Sequence, residues 1–94
     1  MSELYQRMEN KISKMALFTQ ISQLGSPTKT HPVNLFCEIG NGTTIIYISK
    51  DFGKWSIDWS HGETDVRIWM KHLKRLKTQK EVFEAIEMIL RKEI

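Results

Sequence analysis

Residues 33–60 read VNLFCEIGNGTTIIYISKDFGKWSIDWS, and the fold depends on how this stretch doubles back on itself. Asn41-Gly42 is the preferred dipeptide of a two-residue type I′ hairpin, because both central positions of that turn need positive φ. A turn there pairs Gly40 with Thr43 and fixes the register behind it. Ile39 then faces Thr44, Cys37 faces Ile46 and Leu35 faces Ile48 on one side of the sheet. Glu38 faces Ile45, Phe36 faces Tyr47 and Asn34 faces Ser49 on the other. A second turn at Lys50-Asp51-Phe52-Gly53 pairs Ser49 with Lys54, setting Ile48 against Trp55, Ile46 against Ile57 and Thr44 against Trp59. The two turns, assigned separately, collect Leu35, Cys37, Ile39, Ile46, Ile48, Trp55, Ile57 and Trp59 on one face. A slip of one residue would scatter that set over both faces. The stretch therefore predicts a three-stranded antiparallel meander over 33–39, 43–49 and 54–60, with one buried face.

Outward from the meander the periodicity changes. Leu4, Met8, Ile12, Met15, Phe18, Ile21 and Leu24 recur at steps of three and four, which predicts an amphipathic helix over 3–24. Ser2 can cap its start, and Gly25 with Pro27 can stop it. A helix of that length reaches ~30 Å and overhangs its own core, so it offers a homodimer contact. Residues 26–32 read as a polar linker.

Beyond the meander, Val66, Trp69, Met70, Leu73 and Leu76 form an apolar stripe that predicts a helix over 64–76. Ser60, Thr64 and Asp65 compete as its cap, and Trp69 reads as core. Thr78-Gln79-Lys80-Glu81 is a capping box opening a last helix over 79–92, with Val82, Phe83, Ile86, Ile89 and Leu90 as its stripe. The expected architecture is α+β in the order α-β-β-β-α-α, a single domain over 1–94 in which the meander packs against helices. The order overlaps that of double-stranded-RNA-binding domains in topology alone, since their Gly-Pro-x-His loop and Lys-Lys-x-Ala-Lys helix start are absent. No family is recognised.

Composition narrows the function. Ninety-four residues, 40% hydrophobic and 27% charged, describe a globular chain. The longest apolar runs, Met15 to Phe18 and Ile45 to Ile48, fall far short of the roughly 20 residues a membrane span needs, and no membrane partner is expected. Glu3, Arg7, Glu9 and Lys11 interrupt any secretory-signal layout. One cysteine makes no intramolecular disulfide, which fits a reducing cytoplasm. The formal charge of +3 is unevenly spread. Arg67, Lys71, Lys74, Arg75, Lys77 and Lys80 fall within 66–80 with no acidic residue among them, leaving eight basic against eleven acidic elsewhere. Such a lobe attracts an acidic macromolecule, protein or nucleic acid, although lysines and arginines also make the ordinary solvated face of a helix. On a helix, Arg67, Lys71 and Lys74 would share one face and meet phosphates.

Catalytic constellations are sparse. Cys37 points inward between Leu35 and Ile39, where a thiol behaves as a small hydrophobe. Asp58, His61, Glu63 and Asp65 could hold a metal, or Asp58 and His61 could form an acid–base pair; the same residues suit a strand-to-helix turn. No phosphate-binding loop is present. No catalytic residue, metal or cofactor is therefore assigned. The outer sheet face brings Phe36, Ile45 and Tyr47 together, a patch that a helix covers, a protein docks on, or a base stacks on. The reading is a small non-catalytic protein-binding regulator of the inhibitor, immunity or assembly-factor kind, acting through the basic helix and this patch. The alternative is a nucleic-acid-binding protein using 66–80 on phosphates.

Overall fold

The computed structural model describes residues 3–40, 43–62 and 71–94. Their elements are helix α1 (Glu3–Ser13), strands β1 (Gln20–Gln23), β2 (Val33–Ile39), β3 (Thr44–Asp51), β4 (Lys54–His61) and β5 (Lys71–Leu76), and helix α2 (Gln79–Leu90). The strands form one antiparallel sheet in the order β1-β2-β3-β4-β5, each paired with its neighbour in the chain. The α+β class holds, with a five-stranded sheet in place of three strands and two helices among the described residues in place of three. No helix of the described residues is long and apolar enough to cross a membrane.

The hairpin register of β2 and β3 is the expected one at every pair, from Asn34 opposite Ser49 to Ile39 opposite Thr44. Gly40 has φ 62, and a Cβ there would lie 2.1 Å from the Thr43 hydroxyl oxygen, so a side chain would be strained and would have to displace that hydroxyl. Asn41 and Gly42 themselves lie outside the described residues. Between β3 and β4 the turn is tighter than expected. Phe52 (φ 50) and Gly53 (φ 80) alone make it, so Asp51 pairs with Lys54, Ile48 with Ile57 and Ile46 with Trp59. The register is shifted by two residues. An even shift leaves every side chain on its own face, so the predicted inner set survives: Leu35, Cys37, Ile46, Ile48, Trp55, Ile57 and Trp59 are all buried, and Ile39 is half-buried.

The first helix stops at Ser13 instead of running to residue 24. Ser13 turns its hydroxyl onto the Asn10 carbonyl at 2.8 Å, a local bond that competes with helix continuation. Six residues on, Thr19 N donates to Glu38 O at 2.8 Å and the chain enters the sheet as β1. Met15, Phe18 and Ile21 still pack on the core from non-helical backbone, so their spacing imitated a helix. At eleven residues α1 spans about 16 Å, and the overhang that suggested a homodimer contact is not formed.

The helix expected over 64–76 is also corrected. Lys71–Leu76 is an edge strand, while its earlier part, with Val66, Arg67, Trp69, Met70 and the proposed caps Thr64 and Asp65, lies outside the described residues. Trp55 pairs with Leu76 and Ile57 with Leu73, so Lys74 and Arg75 together oppose Ser56 in a bulge. Arg75 sits at φ 63. The bulge keeps Leu73 and Leu76 on the inner face although they are three apart, and that spacing read as helical.

The last helix begins as expected, Thr78 accepting from the Glu81 N–H at 3.2 Å, and ends at Leu90. Both helices pack on the inner face. Tyr5, Met8 and Ile12 of α1 and Val82, Ala85, Ile86 and Ile89 of α2 join the inner strand residues in one core.

Candidate functional site

With both helices on one side, the other face of the sheet carries no helix among the described residues. Strand register arranges it in rows. Ser22, Phe36, Tyr47, Asp58 and His72 follow one another across all five strands, and Gln20, Glu38, Ile45 and Ser60 make the next row. Phe36 and Tyr47 meet with ring centroids 5.1 Å apart at a tilt of 47°. Phe36, Ile45 and Tyr47 are each half-buried and stand outside the core cluster. Further along the row Asp58 Oδ1 is hydrogen-bonded to His72 Nδ1, tying β4 to β5 on this open face. Strands lie about 4.8 Å apart, so Tyr47 is roughly 10 Å from the β5 edge.

That edge holds much of the basic lobe. Lys71, Lys74, Arg75 and Lys77 are exposed, and none of them is in an ion pair among the described residues. Lys80 lies 4.0 Å from Glu84 on the surface of α2, and Arg67 lies outside the described residues. The helical row of Arg67, Lys71 and Lys74 is not formed, because Lys71 and Lys74 belong to a strand. Lys71 opposes Trp59 and Lys74 sits in the bulge. Lysines and a bulge on an edge strand also discourage other strands from pairing there.

The remaining candidates separate. Cys37 has no exposed surface, and burial, with a smaller contribution from the Glu9 carboxylate, pushes its thiol up to about 12; such a thiol is no nucleophile. Asp58 and His61 point to opposite faces of β4 and form no acid–base pair. His61 Nδ1 is bonded to the Thr44 hydroxyl at 3.2 Å and Nε2 to the Ile94 carbonyl at 3.2 Å, so the ring fastens the end of the chain to the sheet. Glu63 and Asp65 lie outside the described residues. Among the described residues no three His, Cys, Asp or Glu side chains converge on a metal position.

Two features escaped the sequence reading. The Asp58–His72 pair joins residues fourteen apart and is legible only once 71–76 is a strand. Phe52, 74% exposed at the tip of the β3–β4 turn, was hidden inside a longer turn; the dipeptide Phe52-Gly53 between alternating strands was its only signal. Comparison with models of known protein families, with curated proteins and with solved structures finds no match for this chain.

Proposed function

We propose that this chain is a small non-catalytic regulator that binds an acidic partner protein on its open sheet face, in a reducing cytoplasm. Phe36, Ile45 and Tyr47 supply the apolar contact, and Lys74, Arg75 and Lys77 its charged margin, while Lys71, opposite the buried Trp59, adds its charge from the helix side of the same edge. The observation that carries the reading is the single row running from Phe36 and Tyr47 through Asp58 to His72 on β5, the edge strand that also bears exposed cations in no ion pair among the described residues. An aromatic pair with a polar rim is the usual composition of a protein contact. Glu38 and Asp58 stand beside the aromatics on the same face, where a stacked base would bring its phosphates, and this favours protein over nucleic acid at the patch. The unpaired cations keep nucleic acid as the second reading.

The test compares co-purification of the wild-type chain, a Phe36→Ala/Tyr47→Ala variant and a Lys71→Ala/Lys74→Ala/Arg75→Ala variant from the native cells. Duplex DNA and RNA binding is followed beside them by fluorescence anisotropy at about 50 and 200 mM salt, the range over which phosphate contacts weaken. A protein retained by the wild type and lost from the aromatic variant supports the proposal. Salt-sensitive duplex binding that disappears in the triple variant, with no protein retained, replaces it by the nucleic-acid reading.

A further inference from the structure

At the end of the sheet remote from Gly40, the β3–β4 turn presents a side chain that stability does not explain. Phe52 occupies the first central position of a two-residue turn at φ 50, a conformation suited to Asn, Asp or Gly and unfavourable for a bulky residue. Its ring is 74% exposed, so burial does not offset that strain. The tip is nevertheless held firmly. Phe52 N donates to Thr30 O at 2.8 Å, and the ring meets His31 edge-to-face with centroids 4.9 Å apart. His31 is fixed in turn by the Thr28 and Thr30 hydroxyls at 3.0 and 2.8 Å. A strained residue maintained by its surroundings points to function.

Charge around the tip is positive. Lys29 precedes the Thr30 that receives the Phe52 N–H, Lys54 follows the turn, and Lys77 follows Leu76, the partner of Trp55. All three lysines are exposed and none is in an ion pair among the described residues. The nearby carboxylate, Asp51, lies 3.6 Å from His31 Nε2. We infer that the Phe52 tip is a stacking platform for an unpaired base of single-stranded nucleic acid, with Lys29, Lys54 and Lys77 on the flanking phosphates. An aromatic ring beside cations is the recurring device for single strands, because every base has a face to stack and every nucleotide a charge. A convex two-residue tip suits a flexible strand that can bend around it. Duplex bases are already stacked and offer no free face. The site shares Lys77 with the margin of the sheet-face patch, but Phe52, Lys29 and Lys54 belong to the tip alone and do not depend on that patch.

The test is fluorescence anisotropy with labelled single-stranded and duplex DNA and RNA of equal length, at about 50 to 200 mM salt. Single strands are expected to bind more tightly than duplex. Phe52→Asn, which suits the turn, should keep or raise the melting temperature while weakening single-strand binding about fivefold to a hundredfold. Phe52→Trp should keep binding, and Lys29→Ala or Lys54→Ala should each reduce the salt slope by about 0.7. A Lys71→Ala/Lys74→Ala variant should keep the preference for single strands. Absence of single-strand binding at 50 mM salt overturns the proposal. So does equal binding of duplex, or binding unchanged in Phe52→Asn, either of which marks attraction to charge alone.

Discussion

Cys37 faces Ile21 on one neighbouring strand and Ile46 on the other, with no surface left to solvent. Its thiol is raised from 9.0 to about 12, so it stays protonated in the folded chain at a pH where the unfolded chain has released the proton. The unfolded state therefore binds fewer protons than the folded one between those values. Stability contributed by the buried neutral thiol is complete below pH 9 and is lost as pH rises towards 12. Tyr5, raised mainly by burial and then by its hydrogen bond to Glu9, adds a loss of the same sign above pH 10. Denaturant unfolding followed from pH 8 to 11 should show stability falling, and Cys37→Ala should start lower but fall less steeply. An equal slope in the two proteins would rule out the thiol as the source.

At the scale of elements, β4 and β5 are neighbours with opposite characters. Trp55, Ile57 and Trp59 of β4 are buried, whereas Lys71, His72, Lys74 and Arg75 of β5 are exposed. Truncating a buried tryptophan costs about 3–5 kcal/mol, a large share of the ~5–15 kcal/mol that holds a domain together. Trp55→Ala or Trp59→Ala should thus leave the chain unfolded by circular dichroism. Lys71→Ala should melt within a degree or two of the wild type, and a clear loss would show that its side chain supports the sheet. The same contrast explains what could be read from sequence. In β2 to β4 the buried residues recur at every second position from Val33 to Cys37, Thr44 to Ile48 and Trp55 to Trp59, and their faces were legible even where the second register was not, because face assignment repeats every two residues. β5 was illegible because its bulge converts alternation into a three-residue step between Leu73 and Leu76. β1 was illegible because Met15, Phe18 and Ile21 happen to be spaced like a helical stripe while reaching the core by another path.

Across the described residues, both helices lie on one side of the sheet, and the proposed contact of the aromatic pair with a partner rests on the other side carrying no helix among them. The patch of Phe36, Ile45 and Tyr47 was legible from the hairpin turn alone. Its link to Asp58 and His72 was not, since that link crosses a strand the periodicity disguised. The two borders of the sheet differ as well. β5 carries Lys71, Lys74 and Arg75 with a bulge, while β1 carries only Gln20, Ile21, Ser22 and Gln23. Lysines and a bulge oppose pairing at β5, and on β1 the Tyr5 side chain of α1 is hydrogen-bonded to the Gln23 backbone. Concentrated solutions should therefore contain monomers and at most pairs in sedimentation velocity; a ladder of larger species would mean the lysine-bearing border joins too. A lysine-bearing, bulged border of this kind is expected to act as a stop signal against fibre growth, since an endless stack needs both borders of every member.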